Sequence, residues 1–172
     1  MKIKRLFNKT IITVEMDENL RYNINGPSLI KVPEWVENAL GKYYLYFAHH
    51  QGKYIRLAYS DSLAGPWSVY KPGTLRLENS LCHGHVASPD VHVDNVNKRI
   101  IMYYHGPVKN SGHQYLNEIF SDWDQRSLVA LSDDGITYKC IKEILGAPYF
   151  RVFQWNNYYY ALGMPGIFYR SK

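Results

Sequence analysis

The fold is indicated by one stretch of the sequence, Ala87-Ser88-Pro89-Asp90-Val91-His92-Val93-Asp94. Its two valines alternate with polar residues, which is the pattern of a strand that buries one face. A proline fits such a strand near its first residue. We therefore predict a strand that has Pro89 at its start. Because side chains alternate along a strand, Ser88, Asp90 and His92 are expected on one face.

Two other stretches repeat this form: Asn25-Gly26-Pro27-Ser28-Leu29-Ile30-Lys31-Val32-Pro33 and Gly146-Ala147-Pro148-Tyr149-Phe150-Arg151-Val152-Phe153. Their prolines and Pro89 are 62 and 59 residues apart. Each stretch is followed by further short strand-like segments: 41–48, 53–60 and 67–70 after the first, 98–106 and 127–135 after the second, and 158–163 after the third. Three or four short strands in each period of about sixty residues are typical of a β-propeller, in which each period forms one blade.

The predicted architecture is all-β, with about two and a half four-stranded antiparallel blades in a single domain. Residues 1–24 are an N-terminal arm, 25–80 blade one, 81–145 blade two, and 146–172 the start of blade three. Within the arm, Ile11-Ile12-Thr13-Val14 is a candidate strand. A β-sandwich of two sheets is the alternative. An open arc leaves two apolar faces in water, so we expect either a longer propeller or self-association through the open blade edges.

Composition and charge exclude several classes of protein. The chain has 172 residues, of which 46% are hydrophobic and 20% charged, as in a globular domain, and its apolar runs are too short to span a membrane. The net charge of +5 comes largely from four basic residues among the first nine, so no nucleic-acid partner is expected. Cys82 and Cys140 are far apart and no export signal is recognisable, which favours free thiols and a cytoplasmic location. No phosphate-binding or dinucleotide-binding loop is present, and no cofactor is expected.

The first strand of each propeller blade lines the central channel, so the residues at the three repeat anchors are the candidate ligand-binding residues. Asp90 is either the electrostatic centre of a site or a structural carboxylate. Arg151, at the channel mouth, is a candidate either for binding an acidic sugar or for pairing with an internal Asp, whereas Arg56 is expected to pair inside its own blade. The other candidates at the anchors are Asn25, Ser28, His85, Ser88, His92 and Tyr149.

Histidines form the other concentration of polar residues: His49, His50, His83, His85, His92, His105 and His113. His49 and His105 stand at apparently matching ends of the second strands of two blades, which predicts a shared polar cluster. His83 and His85 share a face if the chain is extended there, a geometry that can hold a metal. No carboxylate stands at a recognised ligand spacing, so we expect no metal and assign His85 to ligand contact.

The repeated pattern resembles the five-bladed propeller glycosidases of glycoside hydrolase family 43 and its relatives. The resemblance is carried by Pro27-Ser28-Leu29-Ile30 and Tyr43-Tyr44-Leu45-Tyr46-Phe47 in blade one, Ser88-Pro89-Asp90-Val91 in blade two, and Ala147-Pro148-Tyr149 in blade three. It covers residues 25–172, somewhat more than half of what five blades require. It implies a carbohydrate ligand at the central channel.

The resemblance also implies three carboxylates: a base in blade one, a pKa-tuning Asp in blade two and an acid in blade three. Inverting hydrolysis uses one carboxylate to activate water and another to protonate the leaving oxygen. Only Asp90 is present here, in the tuning position, because the base position falls on Gly26 and the acid position on Gly146. Glycine cannot transfer a proton, so the chain either binds sugar without cleaving it or takes its acid and base from elsewhere. The nearest spare carboxylates are Glu34, Glu37, Glu118, Asp122 and Asp124. A protein-interaction scaffold without a ligand site is the remaining alternative.

Overall fold

The computed structural model describes residues 2–5, 7–109 and 125–172, which form three antiparallel sheets. In each sheet, strands that are consecutive in the sequence are also neighbours, as in a propeller blade. This arrangement confirms the predicted all-β propeller arc and excludes the two-sheet sandwich. The strands are β1 (Asn25–Lys31), β2 (Tyr43–Ala48), β3 (Arg56–Ser60) and β4 (Ser68–Tyr70) in the first sheet; β5 (Ala87–Asp94), β6 (Arg99–Pro107), β7 (Gln125–Ser132) and β8 (Lys139–Cys140) in the second; and β9 (Arg151–Trp155), β10 (Tyr158–Gly163) and β11 (Ile167–Ser171) in the third.

The first two sheets pack against each other around one apolar core. Tyr44, Tyr46 and Ala48 point from β2 towards the second sheet, whereas Leu45 and Phe47 point to the opposite side, as the two-residue alternation of a strand requires. The buried hydroxyl of Tyr46 donates a hydrogen bond to the carbonyl oxygen of Gly135 at 2.8 Å. The core therefore contains a polar link between the two blades.

The N-terminal arm covers the outer face of the first sheet. The predicted strand at residues 11–14 is wrong: a 3-10 helix spans Val14–Met16, and no strand precedes β1 in the described part of the arm. Ile12, Met16 and Leu20 instead pack against the apolar side chains on that face of the sheet. Leu20 is only 1% exposed. The expectation of two bare apolar faces is thus wrong at this end of the arc.

The hydrogen bonds between blades show which residues of the three inner strands are equivalent. The N–H of Val91 donates to Ser28 Oγ at 2.9 Å, and the N–H of Val152 donates to Asp90 Oδ2 at 2.7 Å. Each bond runs from a side chain of one blade to the same backbone position of the next. Ser28, Asp90 and Arg151 are therefore equivalent positions.

A backbone feature repeats two residues before each of these positions. Gly26, Ser88 and Tyr149 have φ angles of 60°, 49° and 64°, in the left-handed region that side chains rarely adopt. The third repeat is therefore anchored at Tyr149, and its predicted alignment through Pro148 is wrong by two residues. The sequence misled because Pro148 resembles Pro27 and Pro89, although Phe150 occupies their place in the third blade.

Candidate functional site

The inner strands β1, β5 and β9 begin at one end of the arc, and the polar side chains gathered there form the candidate site. We call this end the mouth. It contains Ser88, His85, His105, Tyr149 and Arg151, five of the residues predicted from the sequence. His50 and Lys53 lie close enough to His85 to lower the pKa of its imidazole through charge, although burial is the larger cause.

His105 is the most deeply buried polar group of the mouth, at 1% exposure. Its ring lies 3.9 Å from the ring of Tyr149 and 6.3 Å from that of His85, centroid to centroid. Burial, together with the charges of His85 and Arg151, lowers the pKa of His105 to about 3. It is therefore neutral at physiological pH. Among the described residues, its Nδ1 atom has no hydrogen-bond partner.

Ser88 does not follow the alternation predicted for β5. The register between β5 and β6 shifts between Ala87 and Asp90, so a β-bulge separates Ser88 from Asp90. Ser88 is buried, and its carbonyl oxygen faces the guanidinium of Arg151 at 3.4 Å.

Asp90 holds two blades together. Oδ2 accepts the N–H of Val152 and also lies 3.0 Å from Nε2 of His92. The predicted shared face of Asp90 and His92 is thus present. The carboxylate is committed to the junction between blades two and three, which is the structural alternative left open by the sequence.

His49 is not equivalent to His105, and the predicted matching of these two residues is wrong by one position. Ala48 pairs with Asn25 as His105 pairs with Ala87, so Ala48 is the counterpart of His105. A slip of one residue turns a side chain to the other face. His49 accordingly lines a separate depression of about 290 Å³ with Arg21, Lys53 and Arg56, where its Nδ1 accepts the N–H of Gln51 at 3.0 Å.

Contacts with the backbone decide two further predictions, the pairing of Arg56 and the extended geometry of His83 and His85. The guanidinium of Arg56 donates to the carbonyl oxygens of Asn19, Leu20 and Asn23, which belong to the N-terminal arm, so the predicted pairing of Arg56 inside its own blade is wrong. His83 and His85 are not in an extended segment, because the N–H of His85 bonds back to the carbonyl oxygen of His83. The described residues contain no group of three His, Cys, Asp or Glu side chains placed to hold a metal ion.

The two glycines that the resemblance assigns to the family's base and acid positions, Gly26 and Gly146, are crowded by neighbouring residues. A Cβ atom on Gly26 would lie 3.0 Å from the Cα of Ser88, and one on Gly146 would lie 2.8 Å from the ring of Tyr169. The hydroxyl of Tyr169 also accepts the N–H of Ala147 at 2.9 Å. The side chain of Tyr169 therefore lies against Gly146, a contact that no motif in the sequence indicates.

Of the five spare carboxylates, two lie among the described residues. Glu34 and Glu37 are exposed, as expected of solvated surface charges. Glu118, Asp122 and Asp124 lie outside the described residues, and so does His113. Within the described ranges, no helix is long and apolar enough to span a membrane.

The chain is similar to a curated viral protein. It is 34% identical over 185 aligned residues to "Uncharacterized protein R118" of Acanthamoeba polyphaga mimivirus, which covers 97% of this chain and 49% of that one. The chain thus spans about half the length of this relative. No protein-family model matches the chain.

Solved structures of family 43 glycoside hydrolases share the fold at low sequence identity. A β-xylosidase/α-arabinofuranosidase from a compost microbial metagenome, in complex with xylotriose, is 17% identical, with a TM-score of 0.59 over 82% of this chain and 42% of that one. An enzyme from Xanthomonas citri complexed with xylotriose is 12% identical, with a TM-score of 0.61 over 89% and 42%. An exo-β-1,3-galactanase from Phanerochaete chrysosporium is 15% identical, with a TM-score of 0.55 over 82% and 32%. The chain has the glycosidase-like propeller fold and matches about two-fifths of the length of the first two structures.

Proposed function

We propose that this protein binds a carbohydrate at the mouth and does not cleave it with the acid–base pair of the propeller glycosidases. The fold is that of sugar-cleaving enzymes, two of which are complexed with xylotriose. The mouth offers the elements of sugar recognition: the ring of Tyr149 and the donors of Arg151 and the histidines.

The observation that carries this proposal is the crowding at Gly26 and Gly146. Inverting hydrolysis needs two carboxyl groups about 6.5–9.5 Å apart. These two positions carry no carboxyl group, and a Cβ atom added there would lie 3.0 Å from the Cα of Ser88 at Gly26 and 2.8 Å from the ring of Tyr169 at Gly146. Asp90 keeps its place but serves the blade junction. Binding does not depend on the missing groups.

A panel of neutral oligosaccharides tests the proposal. Xylotriose and β-1,3-galactotriose are titrated into the whole protein by calorimetry, and the same mixtures are analysed chromatographically for released sugars. We expect saturable binding of at least one sugar without release of product. Tyr149→Ala should abolish this binding, while Tyr159→Ala, at an exposed tyrosine of the third sheet, should leave it unchanged.

Turnover of either sugar that is lost in Asp90→Asn would contradict the proposal and favour a hydrolase. Asn keeps an oxygen that can accept the N–H of Val152, so this substitution removes the charge while conserving the junction. Absence of binding to any sugar of the panel would instead favour the protein-interaction scaffold.

A further inference from the structure

We propose that Arg151 makes the mouth selective for an acidic sugar, by binding the carboxylate of a uronic acid. This inference rests on the proposed carbohydrate binding and names the class of ligand. It is based on the residue type at one position of the repeat, where Ser28 and Asp90 of the first two blades are replaced by Arg151 in the third.

Arg151 is a hydrogen-bond donor at a position where the other two blades have an acceptor. The equivalent Ser28 and Asp90 accept the backbone N–H of the following blade. An arginine has five N–H donors and no acceptor, so it cannot make this link. The group that it binds must supply lone pairs.

Within the part of the chain that the structure describes, the guanidinium of Arg151 retains free donors. Nη1 contacts the carbonyl oxygens of Ser88, Pro89 and Phe150 at 3.3–3.4 Å, long distances for hydrogen bonds. Among the described residues, Nε and Nη2 have no acceptor within hydrogen-bonding distance, and no carboxylate forms an ion pair with Arg151. The side chain is exposed. These two nitrogens are the pair that binds a carboxylate through parallel hydrogen bonds.

The surroundings of Arg151 also favour an anion. The His105 ring lies 6.3 Å from the ring of His85, and its pKa is lowered by burial and further by the charges of His85, Arg151 and His50. Lys53 donates to the carbonyl oxygen of Gly84 at 2.5 Å and adds a cation beside His85. The carboxylate of Asp90, one residue before Val91 on β5, is bonded to the N–H of Val152 and to His92. A site with this charge attracts an anionic ligand and repels a cationic one.

Two methyl glycosides provide the direct test. Methyl β-D-glucuronide differs from methyl β-D-xyloside by a carboxylate on C5, so their affinities isolate the contribution of that group. NMR titration of the whole protein should show that the glucuronide binds about tenfold or more tightly than the xyloside, since one hydrogen-bonded charge pair contributes that much. Methyl β-D-glucoside controls for the size of the substituent and should bind like the xyloside.

Substitution of Arg151 assigns the effect to this side chain. Arg151→Gln should weaken glucuronide binding about tenfold more than it weakens xyloside binding, so that the preference for the glucuronide is lost. Arg170→Gln, the same change elsewhere in the third sheet, is the matched control and should preserve the preference. Melting temperatures of both variants show whether the fold is conserved, and Arg151→Lys replaces Gln if Arg151→Gln does not fold.

Each failure has a separate meaning. Equal affinities for the xyloside and the glucuronide would overturn the acidic-sugar inference and leave carbohydrate binding intact, whereas binding of neither sugar would overturn both. If inorganic phosphate displaces the glucuronide at similar concentration and the xyloside does not bind, Arg151 is a general anion site and the inference is wrong.

Discussion

Single residues link the inner strands of neighbouring blades. Ser28 uses a neutral hydroxyl and Asp90 a carboxylate to bind the same backbone position of the following blade. Hydrogen bonds to charged groups contribute about 1.5–3 kcal/mol to stability, against about 0.5–1.5 kcal/mol for neutral ones. The link through Asp90 should therefore be the stronger of the two.

We expect Asp90→Ala to lower the free energy of unfolding by about 2 kcal/mol and Ser28→Ala by about 1 kcal/mol. Asp90→Asn should cost less than Asp90→Ala, because its amide oxygen still accepts the N–H of Val152. Urea denaturation measures all three. Equal losses for the Asn and Ala variants would show that the hydrogen bond to Val152 does not contribute.

His105 gives the protein a pH dependence of definite sign. Its pKa is lowered from 6.5 to about 3 in the folded state by burial and neighbouring cations, so the unfolded chain binds a proton more readily. Above about pH 6.5, His105 is neutral in both states and does not reduce the free energy of unfolding. As the pH falls from 6.5 towards 3, only the unfolded chain takes up the proton, and the free energy of unfolding decreases by up to about 1.4 kcal/mol per pH unit.

His105→Asn should flatten this slope between pH 6.5 and 4, as measured by denaturation at a series of pH values. His50→Gln, at an exposed histidine of the mouth, is the control and should retain the slope. An unchanged slope in His105→Asn would mean that another group causes the pH dependence.

At the level of elements, the sequence reveals strands better than it reveals their alignment. Ala87–Asp94 and Tyr158–Gly163 are found with the predicted bounds, because apolar alternation and turn residues act locally. Residues 58–61 and 130–133 both read Ala-x-Ser-Asp. They occupy equivalent places in the two blades, since Leu57 pairs with Tyr46 and Val129 with the equivalent Tyr103. The misplaced anchor at Pro148 and the mismatched His49 are register errors, because register is set by contacts between strands, within a blade for His49 and between blades for Pro148.

The crowded contact between β1 and β5 can be measured at Gly26. Gly26→Ala places a Cβ in the left-handed region and 3.0 Å from the Cα of Ser88. Gly84→Ala is the matched control: φ is 82°, but a Cβ there meets only Pro107, at 4.0 Å. We expect each to lose about 1–2 kcal/mol from backbone strain, and Gly26→Ala to lose more. Equal losses in denaturation would show that the approach of the blades is not tight.

At the scale of the whole molecule, the two ends of the arc differ. The N-terminal arm covers the first sheet, whereas the third sheet exposes an aromatic face on which Phe153 and Phe168 lie close to the ring of Tyr160. Trp155 is 64% and Phe168 58% exposed. Exposed apolar patches of this kind mark interaction surfaces. Self-association stays a prediction, and we expect it to occur through the aromatic face of the third sheet.

Sedimentation velocity over a range of concentrations tests that prediction. We expect a larger species to form as concentration rises, and Phe168→Lys to reduce it by placing a charge in the patch. Leu63→Lys, at an exposed leucine of the first blade, should have no effect. A monomer at all concentrations would contradict the assignment.

The central claim is that the mouth holds a carbohydrate without cleaving it. One NMR sample of the protein with xylotriose measures both parts, since the protein signals report binding and the anomeric signals of the sugar report cleavage. The account predicts that the ring signals of His105 and Tyr149 shift on titration while the sugar remains intact for days. Appearance of xylose and xylobiose, or a titration that leaves the signals of both rings unmoved, would contradict it.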